Sequence, residues 1–242
     1  MRGDGQEGRD GPERQEARSQ LALLHLCDSL FPIGGFGYSD GLESATSAAT
    51  VADVAGLRAW LDVCLDETFG RMDGPAVWQA WAALHETRWD ALAALDAELD
   101  ALRASSSARR SSRAMGLRLL TTWQALHPDA RLARLIAMPR PAGAGMSLPV
   151  AFAAACAGAG VDRRAAVEAF AYTRLSATIS AAMRLMAIGQ TDAHALLARA
   201  LERVPRVVTG IVERQAPLES FTPALDIAQM TQQHLHSRLF RS

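Results

Sequence analysis

Three metal-ligating residue types stand almost side by side in His25-Leu26-Cys27-Asp28, and Glu43 adds a carboxylate a short way along the chain. Imidazole and carboxylate oxygen are donors to zinc-type ions that activate water, so His25, Asp28 and Glu43 define one reading, a metal-dependent hydrolase. The spacing opposes it. Successive side chains of a helix are turned by about 100°, so His25, Cys27 and Asp28 cannot all face one ion, and His234 and His236 diverge in the same way. Ser39-Asp40 within GYSDG has the look of a nucleophile turn, but that turn needs a preceding strand and here follows proline and glycines. Ser39 reads instead as a helix N-cap. Arg109, Arg110 and Arg113 cluster on one segment and define a second reading, a helical nucleic-acid adaptor, although aromatic residues are not interleaved with them. No lysine occurs anywhere, so a phosphate-loop lysine is excluded. These residues assemble no catalytic set, and the chain is expected not to be an enzyme.

Composition sets the frame for these residues. The 242 residues are 49% hydrophobic and 21% charged, enough for one sizeable core and one domain. The formal net charge of -1 gives no global field to attract polyanions, so no nucleic-acid partner is expected. All 25 basic residues are arginine, whose planar forks suit carboxylate and phosphate. Cys27, Cys64 and Cys156 are odd in number and widely spaced, which is no disulfide framework and fits a reducing cytoplasm. Residues 1–18 are charged and glycine-rich, and read as a disordered tail without the apolar centre of a signal peptide. No apolar run is long enough to span a bilayer, so no membrane association is expected.

From Ser19 onward the apolar residues recur at three- and four-residue steps, without sustained period-2 alternation, which predicts an all-α domain over residues 19–242. A first helix stops before Pro32. A one-faced helix starts at Asp53 and ends near Gly70, and Pro75 opens the next, which reads as one long helix or two. Ser105–Ser112 reads as a hinge or a solvated helix start. Pro139–Pro149 is a loop, followed by a short apolar helix closed by Gly158 or Gly160. Val167–Gly189 is expected to be the central helix, and Pro205 to separate two later ones. Leu239 and Phe240 have nothing nearby to bury them. The predicted architecture is a single-domain irregular bundle of about nine or ten helices.

One stretch fits none of this economy. FPIGGFGYSDGLE, from Phe31 to Glu43, spends four glycines and a proline beside Phe36 and Tyr38. Glycine permits positive φ or close backbone approach, so a tight helix-helix corner is one reading and a fixed surface corner another. LLHLCDSLFPIGGFGYSDGLE resembles the amino-terminal signature of the UreF family of urease accessory proteins. RLSATISAAMRLMAIGQ and the terminal SRLFRS resemble the same family at the corresponding places, so the likeness spans residues 20–242. Gly37 and Asp40 depart from the residues usual there.

The resemblance implies an all-α homodimer, a scaffold that binds UreD (UreH in some systems) and recruits or regulates the GTPase UreG to load nickel into apo-urease. Nickel would be handled by the complex and GTP by the partner GTPase, with no tightly bound cofactor and no metal ligand in this chain. Carried over residue by residue, it places Pro32, Gly34, Gly35, Phe36, Tyr38, Ser39, Gly41 and Glu43 near partner surfaces, with Glu43 on a possible nickel passage. It makes Arg238, Leu239, Phe240, Arg241 and Ser242, within a tail of about 222–242, a segment ordered by its partner. Tyr172 and Arg184 fall where the dimer or neighbouring helices pack.

Overall fold

The computed structural model describes residues 11–140, 145–214 and 216–241, all helix, turn or coil without strands. Its elements are α1 (Pro12–Cys27), α2 (Leu42–Ser47), α3 (Val54–Val63), α4 (Gly74–His85), α5 (Trp89–Leu102), α6 (Ser106–Leu126), α7 (Ala130–Ala137), α8 (Leu148–Gly158), α9 (Arg163–Leu185), α10 (Gln190–Arg214) and α11 (Pro223–Thr231). A π-helical segment, Cys64–Asp73, joins α3 to α4 without a break, so these two form one rod. The predicted all-α bundle is the fold observed.

Several boundaries differ from the sequence expectation. α1 begins at Pro12, so residues 12–18 are helical where a disordered tail was expected; residues 1–10 lie outside the described residues. Gly70 does not end its helix. It sits in the π segment, and a Cβ at neighbouring Gly74 would lie 2.6 Å from Ile211 Cδ1 and 2.8 Å from the Phe69 carbonyl. These glycines admit α10 to close range instead of terminating α3. Pro205 lies inside α10. Proline costs a helix interior about 3 kcal/mol, but α10 buries Leu197, Ala200, Val204, Val208 and Ile211 along one side, and that packing carries the helix across. Ser105 accepts the Ala108 N–H and caps α6, so Ser105–Ser112 is a helix start as one of its two readings had it; Ser106 and Arg110 are exposed, while Ser105, Ser111 and Ser112 are buried on the other side.

The centre also belongs to a different helix from the one expected. In α8 every residue from Leu148 to Ala157 is buried, the mark of a helix enclosed on all sides, and it packs against α4, α6, α7 and α9. α9 lies beside it, touching through Phe152 and Phe170, whose rings meet edge to face at 5.3 Å. It cannot be central because it keeps a polar flank, with Tyr172 and Arg184 exposed. None of the helices is long and apolar enough to cross a membrane, among the described residues.

Candidate functional site

Between α1 and α2 the chain turns through backbone geometry that only its glycines take without strain. Gly34 (φ 76°) precedes a single 3₁₀ turn, Gly35–Gly37, and Gly41 (φ 89°) precedes α2. At Gly41 a Cβ would lie 2.9 Å from the Gln229 nitrogen, so α11 rests directly on this backbone. Asp40 adopts φ 51° without being glycine. Its carboxylate pairs with Arg174 of α9, which ties the strained residue to the bundle. Burial lowers the Arg174 pKa to about 10, so the guanidinium stays charged at neutral pH.

The corner and the C-terminal segment form one structure. Glu43, buried on α2, accepts the backbone N–H of Leu239 at 2.5 Å and of Phe240 at 3.1 Å, and the Gln232 side-chain amide at 3.1 Å. The other end of that amide accepts the Ser39 hydroxyl at 3.1 Å, and Ser39 Oγ receives the Glu43 N–H at 3.4 Å. Ser44 and Thr231 share a hydrogen bond of 2.7 Å. Arg241 N–H closes the seam by donating to the Gly37 carbonyl at 2.7 Å. A carboxylate holding consecutive backbone N–H groups is a strong, charge-assisted anchor, and the low exposure of Glu43 strengthens it.

Phe240 is therefore buried, at 3% exposure, and is covered within its own chain. This corrects the expectation that nothing buries it: the cover comes from residues distant in sequence. The Arg184 guanidinium lies 4.3 Å above its ring and donates to the Phe36 carbonyl at 2.9 Å. A groove beside them runs between α1 and α9, with Cys27, Phe31, Ile33 and Ala177 in its walls. Phe36 at 54% and Leu239 at 54% stand exposed on the same surface, and Pro32 is exposed too. The structure thus gathers Gly35, Phe36, Tyr38, Ser39, Gly41, Glu43, Arg184, Leu239, Phe240 and Arg241 around one seam. Tyr172, 40% exposed, stands on α9 and takes no part in the hydrogen bonds of the seam. Ser242 lies outside the described residues.

The two rival chemical readings do not assemble. His25 packs its ring against Phe31, Trp123 and His127, whereas the Glu43 carboxylate is occupied by the tail, and no group of three or more such ligands forms among the described residues. Burial pushes the Cys27 thiol up to about 12, which keeps it from the thiolate form that binds metal or attacks. Of the arginine cluster, Arg113 is tied between Asp96 at 3.1 Å and Asp100 at 2.8 Å and donates to the Gly145 carbonyl at 2.7 Å. Arg109 donates to the Arg103 and Ala104 carbonyls and Arg110 to Ser106. Arg109 and Arg113 thus hold the end of α5 and a loop, and of the three only Arg110 stays at the surface, bonded within its own helix.

Gln232, Thr231 and Arg174 are the residues that sequence reading missed. Nothing in their local sequence separates them from ordinary surface residues, because each is defined by a partner more than a hundred positions away.

The UreF family model matches residues 51–201. A urease accessory protein UreF from Methylibium petroleiphilum is 36% identical over 230 residues, covering 93% of this chain and 95% of its own. Proteins of the same name from Ralstonia pickettii and Rhodopseudomonas palustris are 33% and 36% identical over 232 residues, covering 93% of this chain and 99% and 94% of theirs.

Proposed function

The chain belongs to the UreF family of urease accessory proteins, and from that premise we propose that it is a non-enzymatic scaffold of urease maturation. On this reading it acts in the cytoplasm as a homodimer, binds UreD (UreH in some systems), and through that platform recruits the GTPase UreG so that nickel reaches apo-urease. Nickel is cargo of the assembly and GTP belongs to the partner.

The observation that carries the reading is the seam itself. Two of the three segments that resemble the family, the glycine corner and the C-terminal segment, are fastened together by Glu43 and Gln232. The third, on α9, supplies Arg184 above Phe240. Rigid backbone with exposed Phe36 and Leu239 is the form of a protein-docking surface, since large apolar side chains on fixed elements bury area at little entropic cost. Passage of nickel past Glu43 requires the tail to lift, because the carboxylate now holds three N–H groups. Docking of the partner against Leu239 is the step that would lift it.

The test is size-exclusion chromatography with light scattering on the full chain mixed with its cognate UreD, then with UreG, nickel and GTP. A chain ending at Ser237 is compared with it, as is Leu239→Asp, which keeps the backbone anchor and alters the exposed side chain alone. Stable co-elution of the full chain, lost in both variants, supports the scaffold. Separate elution of the intact chain from folded partners overturns it.

A further inference from the structure

About 30 Å along α9 from Arg184, at the rise of an α-helix, its first residue Arg163 lines a second concavity of about 450 Å³. Its walls come from the π segment, the start of α4 and the end of α10, elements remote in sequence. Arg71, Arg163 and Arg214 face it, with Glu219 as the carboxylate among the lining residues.

The three guanidiniums are not equivalent. Arg71 is neutralised by Glu67 at 2.7 Å and Glu219 at 3.0 Å, and Glu219 N–H donates back to the Arg71 carbonyl at 3.0 Å. Arg163 lies 3.6 Å above the Trp78 ring and donates through Nε to the Trp78 carbonyl at 2.8 Å. Arg214 donates to the Gly210 carbonyl at 3.1 Å and the Gly70 carbonyl at 3.3 Å. Arg163 and Arg214 have carbonyl oxygens and an aromatic face for direct partners; the Glu86 carboxylate acts on Arg163 only through space and is itself paired with Arg88 at 2.7 Å, so neither guanidinium makes an ion pair with a carboxylate among the described residues. Stacking on Trp78 also fixes the plane of the Arg163 fork, which lowers the entropic cost of receiving a planar acceptor.

We propose that this concavity binds a carboxylate, presented as glutamate side chains by an acidic segment of a protein partner. Two guanidinium forks without a carboxylate in direct contact supply the charge, and Trp78, Pro75 and Ile211 supply apolar walls for the methylene stem. At the rim of the cavity Arg71 already pairs with a carboxylate, that of Glu219. The proposal does not rest on the urease reading, since it uses none of the residues of the seam.

The test uses the full chain and a fluorescein-labelled, acetylated and amidated hexaglutamate peptide, followed by fluorescence anisotropy. Saturable binding is expected, weakened about tenfold or more in Arg163→Gln and in Arg214→Gln. Arg58→Gln, a charge change on the exposed face of α3 away from this cavity, should leave affinity within about twofold, and glutarate should compete better than inorganic phosphate. Circular dichroism and thermal melting check the fold of each variant, and the two arginines stand on different helices, so a misfolded variant leaves the other as the test. Absence of saturable binding overturns the proposal, as does equal weakening by Arg58→Gln. Stronger competition by phosphate overturns the carboxylate assignment.

Discussion

Glu43 has a side chain almost out of water with three N–H donors on its two oxygens, two of them consecutive backbone amides of the tail. Glu43→Gln removes the charge and turns an amide N–H₂ towards groups that are themselves donors. The expected cost is about 1–3 kcal/mol, the range for hydrogen bonds to a charged group. Urea denaturation measures it, and hydrogen exchange should show the Leu239 and Phe240 amides losing protection ahead of the bundle. Retained protection of those two amides would mean that the packing of Phe240 under Arg184, and not the carboxylate, holds the tail. Asp73 shows the opposite balance. It is buried beside Arg103, and desolvation holds its carboxyl above the usual range despite the arginine's pull.

At the scale of elements, short helices depend on their ends and long ones on their faces. α7 has eight residues and starts at Asp129, which accepts the Arg131 N–H at 2.7 Å and the Leu132 N–H at 3.4 Å while its other oxygen meets the Arg131 guanidinium at 2.7 Å. The bond from the Arg131 side chain, foremost, holds the Asp129 carboxyl below its ordinary value. A carboxyl whose folded value is depressed adds stability that is complete above the unfolded value and is lost as pH falls through the folded one. Asp129→Ala should therefore cost about 1 kcal/mol at neutral pH and progressively less in acid below the ordinary aspartate range, as measured by urea titrations at both pH values. α6 shows the other dependence. A Cβ at Gly116 would run into the Met146 carbonyl and lie 3.0 Å from the Ser147 carbonyl carbon, where the chain enters α8. Gly116→Ala should cost about 1–3 kcal/mol by overpacking, although alanine is the better helix former; a raised melting temperature would show that the segment before α8 yields.

At the scale of the molecule, the proposed assembly draws on the exposed apolar surface. Tyr172 stands 40% exposed on α9, its hydroxyl without a hydrogen bond among the described residues, whereas Arg184 on the same helix spends its guanidinium inside the chain. The proposed homodimer is therefore assigned to the Tyr172 side of α9. Tyr172→Asp places like charges opposite each other across a two-fold axis and should convert a dimer to a monomer in light scattering with little change in thermal stability. A variant that stays dimeric would move the interface elsewhere. Phe221, Ile227, Met230 and Leu239 are exposed on α11 and beyond its ends, and on the proposed scaffold reading they remain for the other partners.

The amino-acid sequence by itself determined the all-helical class, most helix positions and the unusual character of Phe31–Glu43, because helical periodicity and glycine's access to positive φ are local properties. It also carried the family likeness, which belongs to particular residues and needs no coordinates. Tertiary structure alone decided which helix is central, since enclosure of α8 depends on what surrounds it and α9 is nearly as rich in alanine. It decided that Pro205 interrupts nothing, because burial along α10 outweighs one lost backbone bond. Above all it decided the partners of Glu43, Asp40 and Phe240. The hydrogen bonds of Glu43 to the tail and the ion pair of Asp40 come from residues more than a hundred positions away, and the Arg184 that covers Phe240 stands on a different helix, so a period read along one segment holds no information about these contacts.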